Sequence, residues 1–458
     1  MIPENLEFRG SVGKRVDLRE TCAWMSLSFE GEGTFTKVVV DSRLAEPNAL
    51  FFALPGDRVD GHQFLPDVAK RGVKFAVVSD SYSGENFGLT LLPSSNVLES
   101  LQAAARGKLA NHCASIIAIT GSLGKTTVKD FTHHLISQKK KTAKTPLNAN
   151  SQIGLPLTIM NHIEADEEVL IFEMGMTLPK HISTLVSIAP PDIACVTCVA
   201  PVHMESFSSL EGIAHAKAEI FSHPKTRLGL FEKTIFAKEL FQSAGNFCKK
   251  TFSISDSQAD FTIFSDTHSL QFFEEGIHKA TWPHLPVLGG HNLHNFAAAV
   301  AMAREVGCTF DEIRERIKTL RLPEKRLERV EKRGAIFIND SYNASKQAIE
   351  AALKTMPAAS FLGKKRAVLS EMLGLGEFSL QLHEQVGQCA LSFVDEVWCL
   401  GEGCLPIVAL FEKEGKTAHY FESRDKLAEK LSKVIVEGDV VLIKGARDKE
   451  MWKVLDAL

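Results

Sequence analysis

The chain has 458 residues, of which 45% are hydrophobic, and it carries a formal net charge of −4 at pH 7. At about 150 residues per domain this length predicts roughly three domains, and the small charge argues against a general nucleic-acid-binding protein. No apolar run reaches the ~18 residues that a membrane span needs, and the start of the sequence lacks the pattern of a secretory signal. Because nine scattered cysteines suit a reducing compartment, we expect a cytoplasmic protein.

The first 110 or so residues mix short strands with turns. The runs "KVVVDSR", "ALFFALPGD" and "VKFAVVSD" are typical of strands, and "FLPDVAKRG" is typical of a short helix. From residue 115 the pattern becomes strand, loop and helix in repetition. The strands "SIIAIT", "EEVLIFEMG" and "DIACVTCVA" are continuous apolar runs, as strands buried on both faces are. This alternation predicts a mostly parallel sheet with helices on both sides.

A second α/β region follows a glycine turn and an alanine-rich helix at 289–307 and a linker, "TLRLPEKR", at 319–326. Its predicted strands are "AIFIND", "KRAVLSEM", "EVWCLG" and "DVVLIKG". We therefore predict three α/β domains: a small N-terminal domain over 1–110, a central parallel-sheet domain with a phosphate loop over 111–320, and a C-terminal Rossmann-like domain over 321–458.

One Cys-x-x-Cys pair, Cys195 and Cys198, lies in the strand-like run "DIACVTCVA". Residues three apart on a strand point to opposite faces, so a shared metal or redox role is disfavoured. We expect both cysteines to be ordinary core residues.

The stretch "IIAITGSLGKTT" (116–127) joins a predicted strand to a predicted helix through a glycine turn. The full P-loop pattern needs a glycine at position 119, which is isoleucine, so only a shorter loop remains. Backbone N–H groups freed by Gly121 and Gly124, together with the start of the helix, can bind an anion. Lys125 can then reach the terminal phosphates, and Thr126 or Thr127 can bind Mg²⁺. We predict a nucleotide site; an ordinary glycine turn is the alternative.

Two further residues follow neighbouring predicted strands. Glu173 ends the run "VLIFE", and the carboxyl ends of parallel strands line the ligand crevice of such sheets. A carboxylate there can hold Mg²⁺, although it can equally be a solvated strand-end residue. His203, after the next strand, can be a metal ligand from the same edge, but a loop histidine taken alone usually has no special role.

Lys217 is the most unusual position. The segment "SSLEGIAHAKAEIF" predicts a helix that begins with a capping box of Ser208 and Glu211. Lys217 lies four residues after Ile213 and four before Phe221, on the apolar stripe of that helix. A buried ammonium is costly unless it is paired or chemically changed. Either its stem packs while its head reaches solvent, or it serves a nucleotide site.

The order and spacing of "TGSLGKTT", "EMG", the His203 segment and "HAKAEIF" resemble those of the Mur ligases, ATP-dependent amino-acid ligases of bacterial cell-wall synthesis. "NALFFALPGDRVDGHQF", "NANSQIGLP", "GGHNLHN", "INDSYNAS", "SEMLGLGE" and "IKGAR" extend the resemblance over nearly the whole chain. Within the family, "DSYNA" and "EMLGLGE" followed by a histidine are similar to the type that adds D-alanyl-D-alanine. Ser370 departs from the family pattern, which often has glycine there.

The resemblance implies a role for each matching residue. It places ATP phosphates at Thr120, Gly121, Gly124, Lys125, Thr126 and Thr127, and adenine at Asn292 and Asn295. Mg²⁺ would be held by Thr126, Glu173, His203 and Lys217, with Lys217 carrying a carbamate made from CO₂, and Lys125, Glu173, His203 and Lys217 would form the catalytic centre. Arg326 and Asp340 would reach ATP on domain closure. Ser42, Arg43, Asp60, Gly61 and His62 would meet the UDP-muramoyl substrate, and Tyr342, Asn343 and Glu371 the dipeptide.

The implied reaction joins D-Ala-D-Ala to UDP-MurNAc-tripeptide through an acyl phosphate, releasing ADP. We expect a monomeric enzyme of peptidoglycan synthesis that binds no nucleic acid and has no membrane span. Positioning and charge neutralisation can carry such phosphoryl transfer without a serine or cysteine nucleophile. A sister ligase that adds a single amino acid, a folylpolyglutamate synthetase-like ligase and a nucleotide-binding switch without ligase chemistry are the alternatives.

Overall fold

The computed structural model of the protein describes residues 14–56, 59–202, 205–207, 209–236, 239–360 and 362–458. It contains three main sheets, over residues 37–94, 115–282 and 328–444, which lie in sequence order along the chain. The predicted three-part α/β architecture is therefore present. None of the helices in the described ranges combines the length and the hydrophobicity that a membrane crossing needs.

The N-terminal part is built on a four-stranded parallel sheet of order β3-β4-β5-β6. Strand β4 is buried along its whole length, as its unbroken apolar sequence requires. The elements are β1 Val16–Asp17, α1 Leu18–Trp24, β2 Thr34–Phe35, β3 Lys37–Val39, β4 Ala49–Phe52, α2 Leu65–Lys70, β5 Phe75–Ser79, β6 Thr90–Ser94 and α3 Val97–Ala110.

The central part has a nine-stranded sheet of order β15-β14-β13-β12-β11-β10-β7-β9-β8, in which β14 is antiparallel to both of its neighbours and every other pair is parallel. Its strands are β7 Ser115–Thr120, β8 Thr142–Lys144, β9 Val169–Glu173, β10 Ile193–Val196, β11 Leu228–Glu232, β12 Cys248–Ser253, β13 Phe261–Ser265, β14 Leu270–Glu274 and β15 Ile277–Trp282. Its helices are α4 Lys125–Ile136, α5 Gly154–His162, α6 His181–Ile188, α7 Leu210–Ala218, α8 Lys233–Phe236, α9 Glu239–Ser243, α10 His291–Glu305 and α11 Phe310–Ile317.

The C-terminal part has a six-stranded sheet of order β16-β17-β21-β18-β19-β20, in which only β16 is antiparallel to its neighbour. Its strands are β16 Glu328–Lys332, β17 Ala335–Asp340, β18 Lys365–Ser370, β19 Glu396–Leu400, β20 Thr417–Phe421 and β21 Val440–Lys444. Its helices are α12 Lys346–Thr355, α13 Ser379–Leu391, α14 Leu405–Lys413, α15 Arg424–Val434 and α16 Trp452–Asp456.

Two packing contacts position the central sheet's ligand edge. Helix α10 packs against α4, with the rings of Phe131 and Phe296 in edge contact at 6.4 Å between centroids. Asn161 of α5 bonds the outer edge of the N-terminal sheet: its Oδ1 accepts from Val38 N at 2.7 Å, and its Nδ2 donates to Val38 O at 2.9 Å. The first contact fixes the glycine loop beside α10, and the second holds the N-terminal sheet against the central part.

Candidate nucleotide and metal site

The glycine loop runs from the end of β7 to the start of α4, and both of its glycines are sterically required. A Cβ on Gly121 would lie 1.9 Å from Thr197 Oγ1. Gly124 has a φ of +82°, and a Cβ there would lie 2.4 Å from Asn295 Oδ1. The loop can therefore fold closely against its neighbours only without side chains, which leaves its backbone N–H groups available at the start of a helix.

The Lys125 ammonium is folded back onto this loop. Its Nζ donates to Gly121 O at 2.7 Å and to Ser122 O at 3.3 Å. Burial lowers the pKa of Lys125, against the opposing charge of Glu173. The neighbouring hydroxyl Thr120 Oγ1 is buried without a hydrogen-bond partner, and the Thr127 side chain is buried in the first turn of α4. The Lys125 ammonium and the unpartnered Thr120 hydroxyl therefore lie together at the loop.

Glu173, at the end of β9, is oriented from several sides although its side chain is only 1% exposed. The Thr126 hydroxyl donates to Glu173 Oε2 at 2.9 Å, and Asn150 Nδ2 donates to Oε1 at 2.6 Å. Lys129 Nζ lies 4.0 Å from Oε2. A hydroxyl and a carboxylate oxygen that meet in this way are the oxygen ligands that Mg²⁺ takes in nucleotide sites, so the residues fit that ion.

Lys217 is buried in α7, as its place on the apolar stripe predicts, with 2% of its surface exposed. Within the part of the chain that the structure describes, its ammonium forms neither an ion pair nor a hydrogen bond. Burial lowers the pKa of Lys217 well below its usual value, and the charge of Lys125 lowers it further. Both effects disfavour the charged form of Lys217, and the second is an electrostatic interaction with the glycine-loop lysine.

Two sequence expectations near Lys217 have different outcomes. The N-cap of α7 is Ser209, whose side chain accepts from Gly212 N, so the predicted Ser208–Glu211 capping box is wrong by one residue. Ser208 and His203 both lie outside the described residues. Among the described residues, no three histidine, cysteine or acidic side chains cluster as a metal site.

Asn292 and Asn295 lie together beside the glycine loop, at the start of α10. Asn295 Nδ2 donates to Asn292 Oδ1 at 2.9 Å, and Asn292 Nδ2 donates to Leu288 O at 2.6 Å. The close approach of Asn295 Oδ1 to Gly124 places this pair at the loop. The structure thus brings the two predicted adenine residues next to the predicted phosphate site.

The C-terminal part reaches the same site through Arg326. Its guanidinium donates to Thr126 Oγ1 at 3.0 Å and stacks on the Tyr342 ring, with 4.5 Å between the Cζ atom and the ring centroid. Asp340, which ends β17, accepts from Lys444 Nζ at 2.5 Å and from Leu327 N at 3.2 Å. Burial, aided by the charge of Glu173, raises the pKa of Tyr342 to about 12, so its phenol stays protonated near the carboxylate.

The predicted dipeptide residues contact different neighbours. Tyr342 lies beside the Arg326–Thr126 contact, whereas Glu371 lies at the end of β18, where it pairs with Lys449 at 2.6 Å and accepts from Gly403 N at 2.9 Å. The backbone oxygen of Asn343 accepts from Lys444 Nζ at 3.0 Å. Tyr342 is thus adjacent to the nucleotide residues, and Asn343 connects to Asp340 through Lys444.

The predicted UDP-sugar residues form two tight turns in the N-terminal part. Arg43 makes a two-pronged contact with Asp41, and the turn begins at Ser42. His62 uses both ring nitrogens internally, with Nδ1 2.6 Å from Asp60 Oδ1 and Nε2 accepting from Ser79 N at 2.9 Å. A Cβ on Gly61 would lie 2.7 Å from Leu54 N. Asp60, Gly61 and His62 therefore maintain the turn's shape.

Cys198 is not the fully buried core residue that the sequence predicts. Strand β10 ends at Val196, so only Cys195 is in the strand and fully buried. Cys198 is half-buried against the glycine loop, where its Sγ accepts from Leu123 N at 3.3 Å and its backbone oxygen accepts from Ser122 N at 2.8 Å. The strand stops too early for the alternation of faces to apply, and Cys198 supports the loop instead.

Sequence reasoning also missed Lys129, Asn148 and Arg447. Lys129 is 1% exposed, and its Nζ donates to Leu147 O at 2.5 Å while it neighbours Glu173. Its position four residues after Lys125 puts it on the same face of α4, which is a signal that the sequence contains. Arg447 donates to Asn148 Oδ1 at 3.0 Å across 299 positions, a contact that no local pattern announces.

Comparison with known families gives three matches in chain order. The "Mur ligase family, catalytic domain" description matches residues 34–108, the "Mur ligase middle domain" residues 119–303, and the "Mur ligase, glutamate ligase domain" residues 325–447. A protein of Bacillus subtilis (strain 168) named UDP-N-acetylmuramoyl-tripeptide–D-alanyl-D-alanine ligase is 31% identical over 439 residues, which cover 92% of each chain.

Two solved structures share the fold. MurF from Acinetobacter baumannii superposes with a TM-score of 0.86 at 22% identity, covering 97% of this chain and 99% of its own. MurF from Thermotoga maritima in complex with ADP gives a TM-score of 0.78 at 28% identity, covering 92% of this chain and 96% of its own. The predicted three-domain α/β fold is confirmed by these likenesses, and the chain belongs to the Mur ligase family, within its MurF type.

Proposed function

We infer that the protein joins D-alanyl-D-alanine to UDP-N-acetylmuramoyl-tripeptide in an ATP-dependent reaction that forms ADP, phosphate and the UDP-MurNAc-pentapeptide of peptidoglycan synthesis. The names of its relatives support this substrate pair. The observation that carries the inference is the meeting of Thr126, Glu173 and Arg326 at the glycine loop. That meeting joins a phosphate loop, a metal-binding carboxylate and a cation from the C-terminal part.

The reaction has to activate a carboxylate and neutralise the negative charge of the ATP phosphates. A carboxylate is a poor electrophile, and the γ-phosphoryl group of ATP converts it into an acyl phosphate that the dipeptide amine attacks, expelling phosphate. Such transfer requires alignment and neutralisation of phosphate charge. Lys125 and Arg326 supply positive charge at the loop, and the loop N–H groups bind phosphate oxygens. Tyr342 keeps its proton and can donate a hydrogen bond there.

Thr126 and Glu173 would hold Mg²⁺, which supplies charge neutralisation for the phosphates when bound. Asn150 donates to Glu173 Oε1 and Lys129 Nζ lies 4.0 Å from Oε2, so the central part contacts both oxygens of the carboxylate. Among the other predicted site residues, we assign Asn292 and Asn295 to adenine and Asp340 to the nucleotide. His203 stays a predicted metal ligand. The residues that stay predicted to meet the UDP-sugar are Ser42, Arg43, Asp60, Gly61 and His62, and those that stay predicted to meet the dipeptide are Tyr342, Asn343 and Glu371.

Lys217 is proposed to carry a carbamate. Its neutral amine attacks CO₂, forms an N–C bond and releases one proton, which converts a would-be cation into an anion. The lowered pKa favours the amine that this step requires, and the nearby Lys125 ammonium would stabilise the product anion. The carbamate would supply the oxygen ligand that the described acidic residues do not provide beside Glu173.

The deciding experiment is an assay of the purified protein with UDP-MurNAc-tripeptide, ATP and D-Ala-D-Ala, in which ADP release is followed and the product is identified by its mass. We expect ADP release to require both other substrates and the product to carry the dipeptide. Turnover with a single amino acid would favour a sister ligase, and ATP binding without turnover would favour a nucleotide switch. The cytoplasmic location and the monomeric state stay predictions from sequence.

A further inference from the structure

A short segment between β8 and α5 contacts both the metal-site carboxylate and the C-terminal part. This segment, residues 145–150, holds Glu173 at two points: Thr145 Oγ1 accepts from Glu173 N at 3.0 Å, and Asn150 Nδ2 donates to Glu173 Oε1 at 2.6 Å. Between these two residues, Asn148 Oδ1 accepts from Arg447 NH1 at 3.0 Å. The residue that touches the C-terminal part thus lies between one residue that bonds the Glu173 backbone and one that bonds its carboxylate.

The segment is stiff enough to transmit a displacement. Thr145 N donates to Ile171 O at 3.0 Å, Asn150 N donates to Asn148 O at 2.7 Å, and Gly175 N donates to Asn150 O at 2.9 Å. Leu147 has a φ of +46°, which a bulky residue adopts only where its surroundings impose it. The buried Lys129 ammonium supplies that restraint by its bond to Leu147 O.

On the other side, Arg447 belongs to a compact surface of the C-terminal part. The Tyr342 ring has the Arg326 guanidinium at 4.5 Å and the Arg447 guanidinium at 5.8 Å from its centroid. Arg326 contacts Thr126 and Arg447 contacts Asn148, so one aromatic ring connects both contacts to the central part. Thr126 and Asn150 then bond opposite oxygens of Glu173.

We propose that Asn148 and Arg447 are positioning residues for the ligase reaction: their contact couples docking of the C-terminal part to the orientation of the Glu173 carboxylate. Docking closes the Arg447–Asn148 bond, which holds the 145–150 segment and through Asn150 fixes Glu173 Oε1. The carboxylate then adopts its working orientation only while the C-terminal part is docked. This proposal rests on the proposed function.

The test uses Arg447→Met, Asn148→Ala and the double variant in the full-length protein. A hydrogen bond to a charged group contributes about 1.5–3 kcal/mol, so we expect each single variant to lower kcat by about ten-fold or more while KM for ATP changes less than about three-fold. The kcat of the double variant should be no lower than that of the less active single variant, because both substitutions remove the same contact. Independent losses that multiply in the double variant would overturn the coupling.

A second measurement does not depend on turnover. Hydrogen exchange of the 145–150 amides should be faster in Arg447→Met than in the unaltered protein. Arg333→Met is the matched control, since Arg333 NH1 donates to Ser432 O at 2.9 Å within the C-terminal part and precedes β17, at the opposite end of that strand from Asp340. We expect the control to leave kcat and this exchange unchanged.

The two proposals fail in different ways. If the unaltered protein does not ligate D-Ala-D-Ala, the proposed function is wrong, whereas the exchange experiment still reports on the coupling. If the unaltered protein ligates the dipeptide and Arg447→Met keeps both full kcat and slow exchange at 145–150, the coupling is wrong. Asn148→Ala tests the same contact from the central part, so poor folding of one variant leaves the other informative.

Discussion

Burial, and secondly the charge of Lys125, lowers the pKa of Lys217, so the lysine of the glycine loop and the lysine of α7 interact electrostatically. Like charges in a buried site repel each other strongly. Lys125 satisfies its donors on loop carbonyl oxygens, whereas Lys217 has no such contact in the described part of the chain. The loop oxygens therefore compensate the Lys125 charge, whereas burial and the neighbouring charge both disfavour the charged form of Lys217.

Replacing Lys217 with alanine should abolish ligation while largely preserving nucleotide binding. Loss of a preorganised charge in a reaction centre costs about 10²–10³ in rate, so we expect at least a hundred-fold fall in kcat and an ADP affinity within about three-fold of the original. Acetate or formate, added as a substitute carboxylate, should restore part of the activity. Lys225→Ala is the control, because Lys225 is exposed and pairs with Asp192. Unchanged ligation in Lys217→Ala would rule out the carbamate.

Replacing Gly124 with alanine should lower both stability and nucleotide affinity. A positive φ costs a residue with a Cβ about 1–2 kcal/mol, and here the Cβ would also collide with Asn295 Oδ1. Gly307→Ala is the matched control, since Gly307 has a φ of +93° and open space around it. Urea unfolding should show a loss in both variants, and calorimetric titration with ADP should show at least about a ten-fold loss only in Gly124→Ala. Equal ADP affinities would contradict the role of the loop.

The buried ion-pair network of the C-terminal sheet predicts a large stability effect away from the site. Arg366 is 4% exposed and pairs with Glu396, at 2.9 Å, and with the fully buried Asp439. Arg366→Met would leave the buried Asp439 without its cation and Glu396 with Lys364 alone, and breaking a buried pair in this way costs about 3–5 kcal/mol. The exposed pair Arg329–Glu331 offers the control, and Arg329→Met should cost less than about 1 kcal/mol. Similar urea midpoints for the two variants would contradict this.

Acid should destabilise the protein through His133. Burial, and secondly the charge of Lys144, lowers the pKa of His133 to about 4 from an ordinary 6.5. The unfolded chain therefore binds more protons between these values, so stability is complete above about pH 6.5 and falls as pH drops toward 4. The contribution is up to about 3 kcal/mol. The free energy of unfolding of His133→Gln should fall less over this range, and parallel pH profiles would contradict the assignment.

Much of the fold follows from patterns that the sequence displays. The parallel strands β7, β9 and β10 are buried on both faces, so their unbroken apolar runs were sufficient to predict them. The antiparallel arm β14–β15 was not predicted, because β15 is exposed over most of its length and reads as a polar segment. Whether such a segment forms an edge strand depends on its neighbours in the fold more than on its own composition.

The site divides in the same way. Lys217 is detectable because helical periodicity places a charge on an apolar stripe, and Glu173 because it ends an apolar strand. The two-pronged hold on Glu173 and the Arg447–Asn148 contact depend on how separately folded sheets meet, which no local spacing encodes. His62 shows a contact that the motif alone does not reveal, because both of its ring nitrogens bond the protein itself; its substrate role stays a prediction.

The paired bonds between Asn161 and Val38 have a consequence for handling the N-terminal part in isolation. The Asn161 amide accepts from and donates to the backbone of Val38, as a neighbouring strand would. It therefore covers part of the unpaired edge of β3. Uncovered sheet edges can pair with strands of other chains, which promotes aggregation. A fragment that ends near residue 111 would lack Asn161. We expect such a fragment to self-associate through the β3 edge unless another group bonds the Val38 backbone.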